Sequence, residues 1–413
     1  MWLCPGTIMA LMFQDLSPSV TESRRRWKAA LLATPVVLYP ATASANMGTP
    51  LMWAGSLHML IGNLFIGIFE GLLLSWIFKT HRGASIGVMI LANYLSAWLG
   101  IGILGNFHPS EPLSLSNAMS WLGLMVGLTY VMTLLLEWPF VVWMFRGTPH
   151  QLGRSIRASL LVQTVSYALL CAYYGSAGHM SLYTRTELVN ASALSLPEHV
   201  MVYYLSCDDG DVYRRSLSGG KPVKVMELDS KSVVDRLFVC RNAERPAEWD
   251  LVARLEAPRG GQVELVTVVP NLKATVAPGI RARNEELGLE GRIWENVGEV
   301  DKLGDPTSGR WSFRTGYWAG DGLKGVDSAS GERWKLAFET PFVGLPVLNA
   351  VQLPGDKVLF QLGSSEIYLL DAPTRRLALL WKGRGPVAML GTADGKMDPE
   401  VAGSSAEGTA AQR

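Results

Sequence analysis

The run from Pro50 to Lys79, PLMWAGSLHMLIGNLFIGIFEGLLLSWIFK, is too apolar and too long to be anything but a membrane span, and the rest of the chain takes its side of the bilayer from it. About two dozen residues separate Trp53 from Trp76; at about 1.5 Å per residue they cross the roughly 30 Å hydrocarbon core with an indole at each headgroup level. His58, Asn63 and Glu70 interrupt the run. A carboxylate in hydrocarbon costs on the order of 2.5 to 3.5 kcal/mol even on a lenient insertion scale, so Glu70 is expected to face protein or water, or to be protonated.

The chain as a whole has 413 residues, 48% hydrophobic and 18% charged, with a mean hydropathy of +0.18, between the values of soluble and wholly embedded proteins. That average hides two halves. Nine of the 37 Lys and Arg and five of the 36 Asp and Glu precede residue 180, so the first part is weakly basic and the second weakly acidic. Neither is polybasic, and no nucleic-acid partner is expected. The pattern predicts one membrane domain and one soluble domain.

Residues 1–45 carry the pattern of an N-terminal extension with a secretory signal: Arg24-Arg25-Arg26-Trp27-Lys28, the apolar stretch Ala29 to Tyr39, and Ala43-Ser44-Ala45 as a cleavage site. A start codon downstream of Met1 is compatible with it. Pro35 and Pro40 break a run already short for an uncleaved span. Four spans follow, at about 50–78, 84–106, 118–145 and 158–178, and make residues 46–179 a four-helix transmembrane domain. Lys79 and Arg82 lie between the first and second, and Arg146, Arg154 and Arg157 between the third and fourth, whereas the loop 107–117 has no Lys or Arg. The positive-inside rule makes the two basic connections cytoplasmic, which places the part after Met180 outside, in the periplasm of a bacterial cell.

Gly67 with Gly71, Ala92 with Ser96 and Gly100, and Gly123 with Gly127 have the small-residue spacing of packed membrane helices. Gly100 to Gly105 spells G-x-G-x-x-G, but inside an apolar span with no strand before it the motif carries no dinucleotide site. The polar residues fall into two layers. Glu70 stands six residues before Trp76 and Glu137 six before Trp143, so both carboxylates lie about 9 Å from the same interface. Asn93 sits slightly deeper, and Asn63, seven residues from Glu70, shares its helix face. Pro139 frees a backbone carbonyl close by. Glu70, Glu137, Asn93 and Asn63 thus form a candidate intramembrane polar site, either a proton or cation site or a set of hydrogen bonds that hold the bundle together. His58, Asn106 and His108 form an outer polar layer; with Glu111 they include metal-ligand residue types but lack ligand spacing. No metal site or cofactor is predicted.

The region 180–397 reads as β-rich. Val200 to Val212 is strand, turn, strand around Asp209-Gly210. Val358–Leu362, Glu366–Asp371 and Arg376–Trp381 repeat that plan, and a weaker copy runs from Arg236 to Leu255. These meanders resemble β-propeller blades, with a β-sandwich as the alternative for a region of this size. Trp294, Trp311 and Trp318 in the Gly-rich middle are assigned to packing rather than to a binding surface. Cys207 and Cys240 are the pair expected in an oxidising compartment and are predicted to form a disulfide; Cys171 falls in the fourth span. From Asp398 to Arg413, Ala, Gly, Ser and Glu dominate, the composition of a disordered tail.

The order of signal, Asn46-Met47-Gly48, a span with Glu70-Gly71, a second with Ala92-Asn93-x-x-Ser96, and a third with Leu136-Glu137-Trp138-Pro139 is similar to a loose group of bacterial inner-membrane proteins that has no assigned activity. The resemblance covers the membrane half and implies a bacterial source and the topology above. No H-E-x-x-H, G-x-S-x-G or S-x-x-K stands in a suitable place, so no catalytic residue is assigned. The sequence favours a membrane-anchored envelope protein whose β-rich module binds a protein or glycan. A transport or ion-coupling protein built on the Glu/Asn site is the alternative, and with only four spans it implies a homo-oligomer.

Overall fold

The computed structural model describes residues 49–104, 107, 109, 111–233, 235–241, 245, 249–256, 263–272, 298–303 and 309–390. Four helices, α1 (Pro50–Phe78), α2 (Arg82–Leu104), α3 (Ala118–Met144) and α4 (Gln151–Ala177), are long and apolar enough to cross a membrane. Thr49 caps α1 by accepting the Met52 N–H at 3.2 Å, and Pro50 occupies the first turn, where its missing N–H costs nothing. One π-helical turn, His58–Gly62, interrupts α1. The helix ends at Lys79, whose φ of 57° stops propagation.

The first three helices fall within two residues of the spans expected. α4 begins earlier, at Gln151, and includes Arg154 and Arg157. Arg154 donates from Nη2 to the Phe78 carbonyl at 3.0 Å, and its guanidinium lies 5.2 Å from the centre of the Phe145 ring. The long stem keeps the backbone in an apolar setting while the charge reaches a helix end, so the arginines did not stop the helix.

α1 and α2 pack backbone to backbone. A Cβ on Gly67 would stand 2.5 Å from Ile90 Cα, and one on Gly71 2.5 Å from Ile86 Cα. Ala92, Ser96 and Gly100 form a buried stripe on α2, with Gly100 facing Met132 of α3. The Gly123 and Gly127 spacing is not a packing contact: a Cβ at either position would meet nothing within 4 Å.

The described strands form five sheets. The largest runs Glu187–Leu188, Arg376–Lys382, Glu366–Asp371, Lys357–Leu362, Val347–Leu353 and Asp301–Lys302, antiparallel in the middle and parallel at both edges. A second joins Arg333–Leu336, Leu323–Asp327, Trp311–Thr315 and Gly298–Glu299. In a third, Arg384–Leu390 pairs with Val200–Leu205, followed by Val212–Ser216 and Gly219–Met226, so the last strand of the described chain closes onto the first long one. Arg236–Arg241, Trp249–Glu256 and Val263–Leu272 make the fourth, and Phe338–Thr340 with Val343–Leu345 the fifth. The meanders expected around Asp209-Gly210 and Gly363-Ser364-Ser365 are present, with Gly210 at φ 79° and Gly363 at φ 63°. A propeller ring is not: the described strands close into neither a propeller nor a barrel.

The main core of the β-rich region, built on Trp311, Phe313, Trp334, Phe360 and Tyr368, also contains Leu115 and Ala118 from the start of α3 and the loop before it. Met119, Trp121 and Leu122 pack against its edge. At a second junction, His179, just past α4, exchanges backbone hydrogen bonds with Glu339 at 2.8 and 2.6 Å. Described residues on both sides of the boundary expected at residues 179/180 therefore share one core.

Candidate functional site: a buried carboxylate pair

Glu70 on α1 and Glu137 on α3 are 0% and 1% exposed. Each carboxylate bridges the same two neighbouring helices. Glu70 accepts from Asn93 Nδ2 of α2 at 2.5 Å and from Ser166 Oγ of α4 at 2.6 Å. Glu137 accepts from Ser96 Oγ of α2 at 2.6 Å and from Gln163 Nε2 of α4 at 2.5 Å. Both donor pairs are spaced i, i+3, which places them on one face of their helix, about one turn apart. All four carboxylate oxygens are thus partnered, every donor is neutral, and two buried acids lock four helices.

Of the four residues expected to share a level, the structure brings Glu70 and Asn93 into hydrogen-bond contact and ties Glu137 to the same two helices. Asn63 is buried but turned away, its amide donating to the Met59 carbonyl of its own helix at 3.4 Å. Sequence reasoning missed Gln163 and Ser166, and it assigned Ser96 only to packing. Their signal was present: polar side chains three residues apart in otherwise apolar helices need partners in hydrocarbon.

Ser96 gives the site a degree of freedom. Its hydroxyl oxygen is 2.6 Å from Glu137 Oε1 and 3.1 Å from the Asn93 carbonyl, and it has one proton to donate. With Glu137 ionised, that proton goes to the carboxylate. With Glu137 protonated, the carboxyl donates to Ser96 Oγ, and Ser96 turns its proton to the Asn93 carbonyl. Both protonation states leave every group satisfied. A metal ion would have to displace these donors, and no metal-ligating cluster of three or more His, Cys, Asp or Glu is found among the described residues.

Asn106 and His108 of the expected outer layer lie outside the described residues. His58 does sit toward that end of α1, where its Nδ1 is 2.6 Å from the Tyr174 hydroxyl of α4. The predicted disulfide is not formed: Cys207 is a free thiol with its sulfur 3.8 Å from the Ser365 carbonyl, and the Cys240 side chain is not among those described. Trp311 is in the core, Trp318 stacks edge-on with Tyr317, and Trp294 lies outside the described residues.

Two further carboxylates stand where the helices meet the sheets. Glu366 accepts from the Leu115 N–H at 3.4 Å and from the Tyr368 hydroxyl at 3.0 Å, and burial pushes its carboxyl above the ordinary value. Burial does the same to Glu339, offset in part by Thr49 and the Lys335 charge. His179, whose Nε2 is 3.3 Å from Lys335 Nζ, is pushed down by burial and then by that charge.

No protein-family model, no curated protein and no solved structure matches this chain.

Proposed function

We propose that this chain is a membrane-anchored envelope protein of a bacterial inner membrane, in which four helices hold a β-rich binding module rigidly on the periplasmic face. The observation that carries this reading is the shared core: Leu115 and Ala118 sit among the aromatic residues of the sheets. An anchor joined by a flexible tether needs no such contact, whereas a module that must keep a fixed orientation to the bilayer does. The partner class is a protein or glycan recognised through loops between strands, the usual place for recognition on β scaffolds. The basic residues Lys79, Arg82, Arg146, Arg154 and Arg157 gather at the helix ends opposite the sheets, which supports the same orientation.

The test is accessibility of single cysteines to a membrane-impermeant thiol reagent in intact cells. They are placed in turn at 79–83, at 111–117 and in the β-rich region, with Cys4, Cys171, Cys207 and Cys240 replaced by Ser. Labelling is expected at the second and third positions and not at the first. Labelling of the first in intact cells would invert the arrangement and end the envelope reading.

A second reading, proton coupling at Glu70 and Glu137, is favoured by one observation: the pair faces only neutral donors, and Ser96 can serve either protonation state of Glu137. It is compatible with the first, since a protonation change inside the bundle has a direct mechanical route to the sheets through α3 and α4.

A further inference from the structure

α1 and α4 touch at two heights and part between them. Near the sheets they are pinned by the His58–Tyr174 contact and by the Tyr173 hydroxyl, which donates to the Ala54 carbonyl at 3.3 Å. Deeper, they meet where Ser166 donates to Glu70. Between the pins lies an open cleft of about 500 Å³, lined chiefly by Ile61, Phe65, Ile66, Phe69, Leu169 and Leu170. From His58 to Phe69 the cleft follows about 16 Å of helix, close to half of the roughly 30 Å hydrocarbon core.

The π-helical turn His58–Gly62 forms one wall. Gly62 lacks the Cβ that would stand 3.1 Å from the His58 ring, and that ring reaches Tyr174. The turn also frees the Leu60 carbonyl, which the Tyr94 hydroxyl of α2 takes up at 2.5 Å. Such turns cost hydrogen bonds and occur disproportionately at functional positions.

We infer that this cleft holds one hydrocarbon chain of a membrane lipid. The occupant follows from three features: an apolar lining, a length close to half of the hydrocarbon core, and a mouth flanked by Phe65, Leu169 and Tyr173, which are 65%, 55% and 40% exposed. A second protein helix is a poorer fit, because this wall offers no small-residue stripe for close approach. Ser166 lines the cleft and donates to Glu70, so a chain in the cleft would lie against one arm of the carboxylate pair. The inference rests on the membrane reading above.

The experiment uses the full-length protein in phosphatidylethanolamine and phosphatidylglycerol vesicles that contain a phosphatidylethanolamine with a diazirine in its acyl chain. Illumination is followed by mapping of the adducts by mass spectrometry. Adducts at Phe65, Phe69 and Leu169 are expected at about tenfold the yield at Leu91 and Leu135, a preference equivalent to about 1.4 kcal/mol. Those two comparison residues are as openly exposed, at 52% and 66%, but lie on α2 and α3. Ile66→Trp, which fills the cleft, should remove the enrichment, and Leu135→Trp should not. Even labelling over all exposed apolar positions would overturn the cleft while leaving the membrane reading intact. Absence of adducts from all four helices would overturn the membrane reading itself.

Discussion

At Glu137 a substitution by Ala strands Gln163 Nε2 and leaves Ser96 Oγ only the Asn93 carbonyl, and at Glu70 it strands Ser166 Oγ and leaves Asn93 Nδ2 only the Met89 carbonyl. Each unsatisfied group costs about 1–3 kcal/mol in a buried setting, and an interhelical hydrogen bond in a bilayer averages about 0.6 kcal/mol, so a loss of about 1–3 kcal/mol is expected per Glu→Ala variant. Glu→Gln keeps one acceptor and should cost less. Thermal unfolding of the purified protein in detergent, followed by tryptophan fluorescence, should rank wild type above Gln above Ala at both positions. Proton coupling adds a separate readout. A protonated-carboxyl band in difference infrared spectra should appear or vanish with pH in the wild type and be lost in the Gln variants; a band that never changes would leave the pair as a structural lock. The pair was legible from the sequence because a carboxylate in hydrocarbon must be partnered and the tryptophans give its depth. Its donors were less so, since Ser, Gln and Asn are mild enough to sit in a span for many reasons.

Glycine separates packing from appearance at the scale of the helix. Gly67 and Gly71 let α1 approach the α2 backbone, and an added methyl would press on Ile90 Cα or Ile86 Cα. Backbone cannot move aside as a side chain can, so Gly67→Ala and Gly71→Ala should each cost about 1–3 kcal/mol. Gly123→Ala and Gly127→Ala meet nothing within 4 Å and should be neutral, or stabilising by up to about 1 kcal/mol through helix propensity. Melting temperatures of the four variants test this directly, and equal losses at both pairs would contradict the packing described. The same contrast shows what the pattern could not say. Spacing reveals that a face is small, but only the partner helix shows whether that face is used. Likewise, the hairpins around Asp209-Gly210 and Gly363-Ser364-Ser365 are written in local turn chemistry. How the sheets are arranged depends on contacts between residues more than 150 positions apart, such as Leu205 with Arg384, and no local pattern encodes them.

At the scale of the molecule, the junctions between bundle and sheets contain acids that prefer to hold their proton. Burial raises the Glu366 carboxyl, where Leu115 enters the core, and the Glu339 carboxyl beside His179. A raised value in the folded state means that the folded protein binds protons which the unfolded chain has released. The stabilising contribution is therefore complete below the ordinary Glu value of about 4.3 and is lost as pH rises through the higher folded value. His179 works in the opposite sense: its lowered value means that protonation disfavours the folded state, so its contribution grows as pH rises through the imidazole range. The two effects are separated by comparing variants. The melting temperature of Glu366→Gln minus that of the wild type should increase as pH rises above about 4.3, because the variant lacks the carboxyl whose ionisation weakens the junction. Glu339→Gln should do the same at the second junction. A difference that is flat over that range, or that falls, would mean that the junctions tolerate the ionised acids, and that the grip of the bundle on the sheets rests on the apolar contacts of the shared core and on the His179–Glu339 backbone pair.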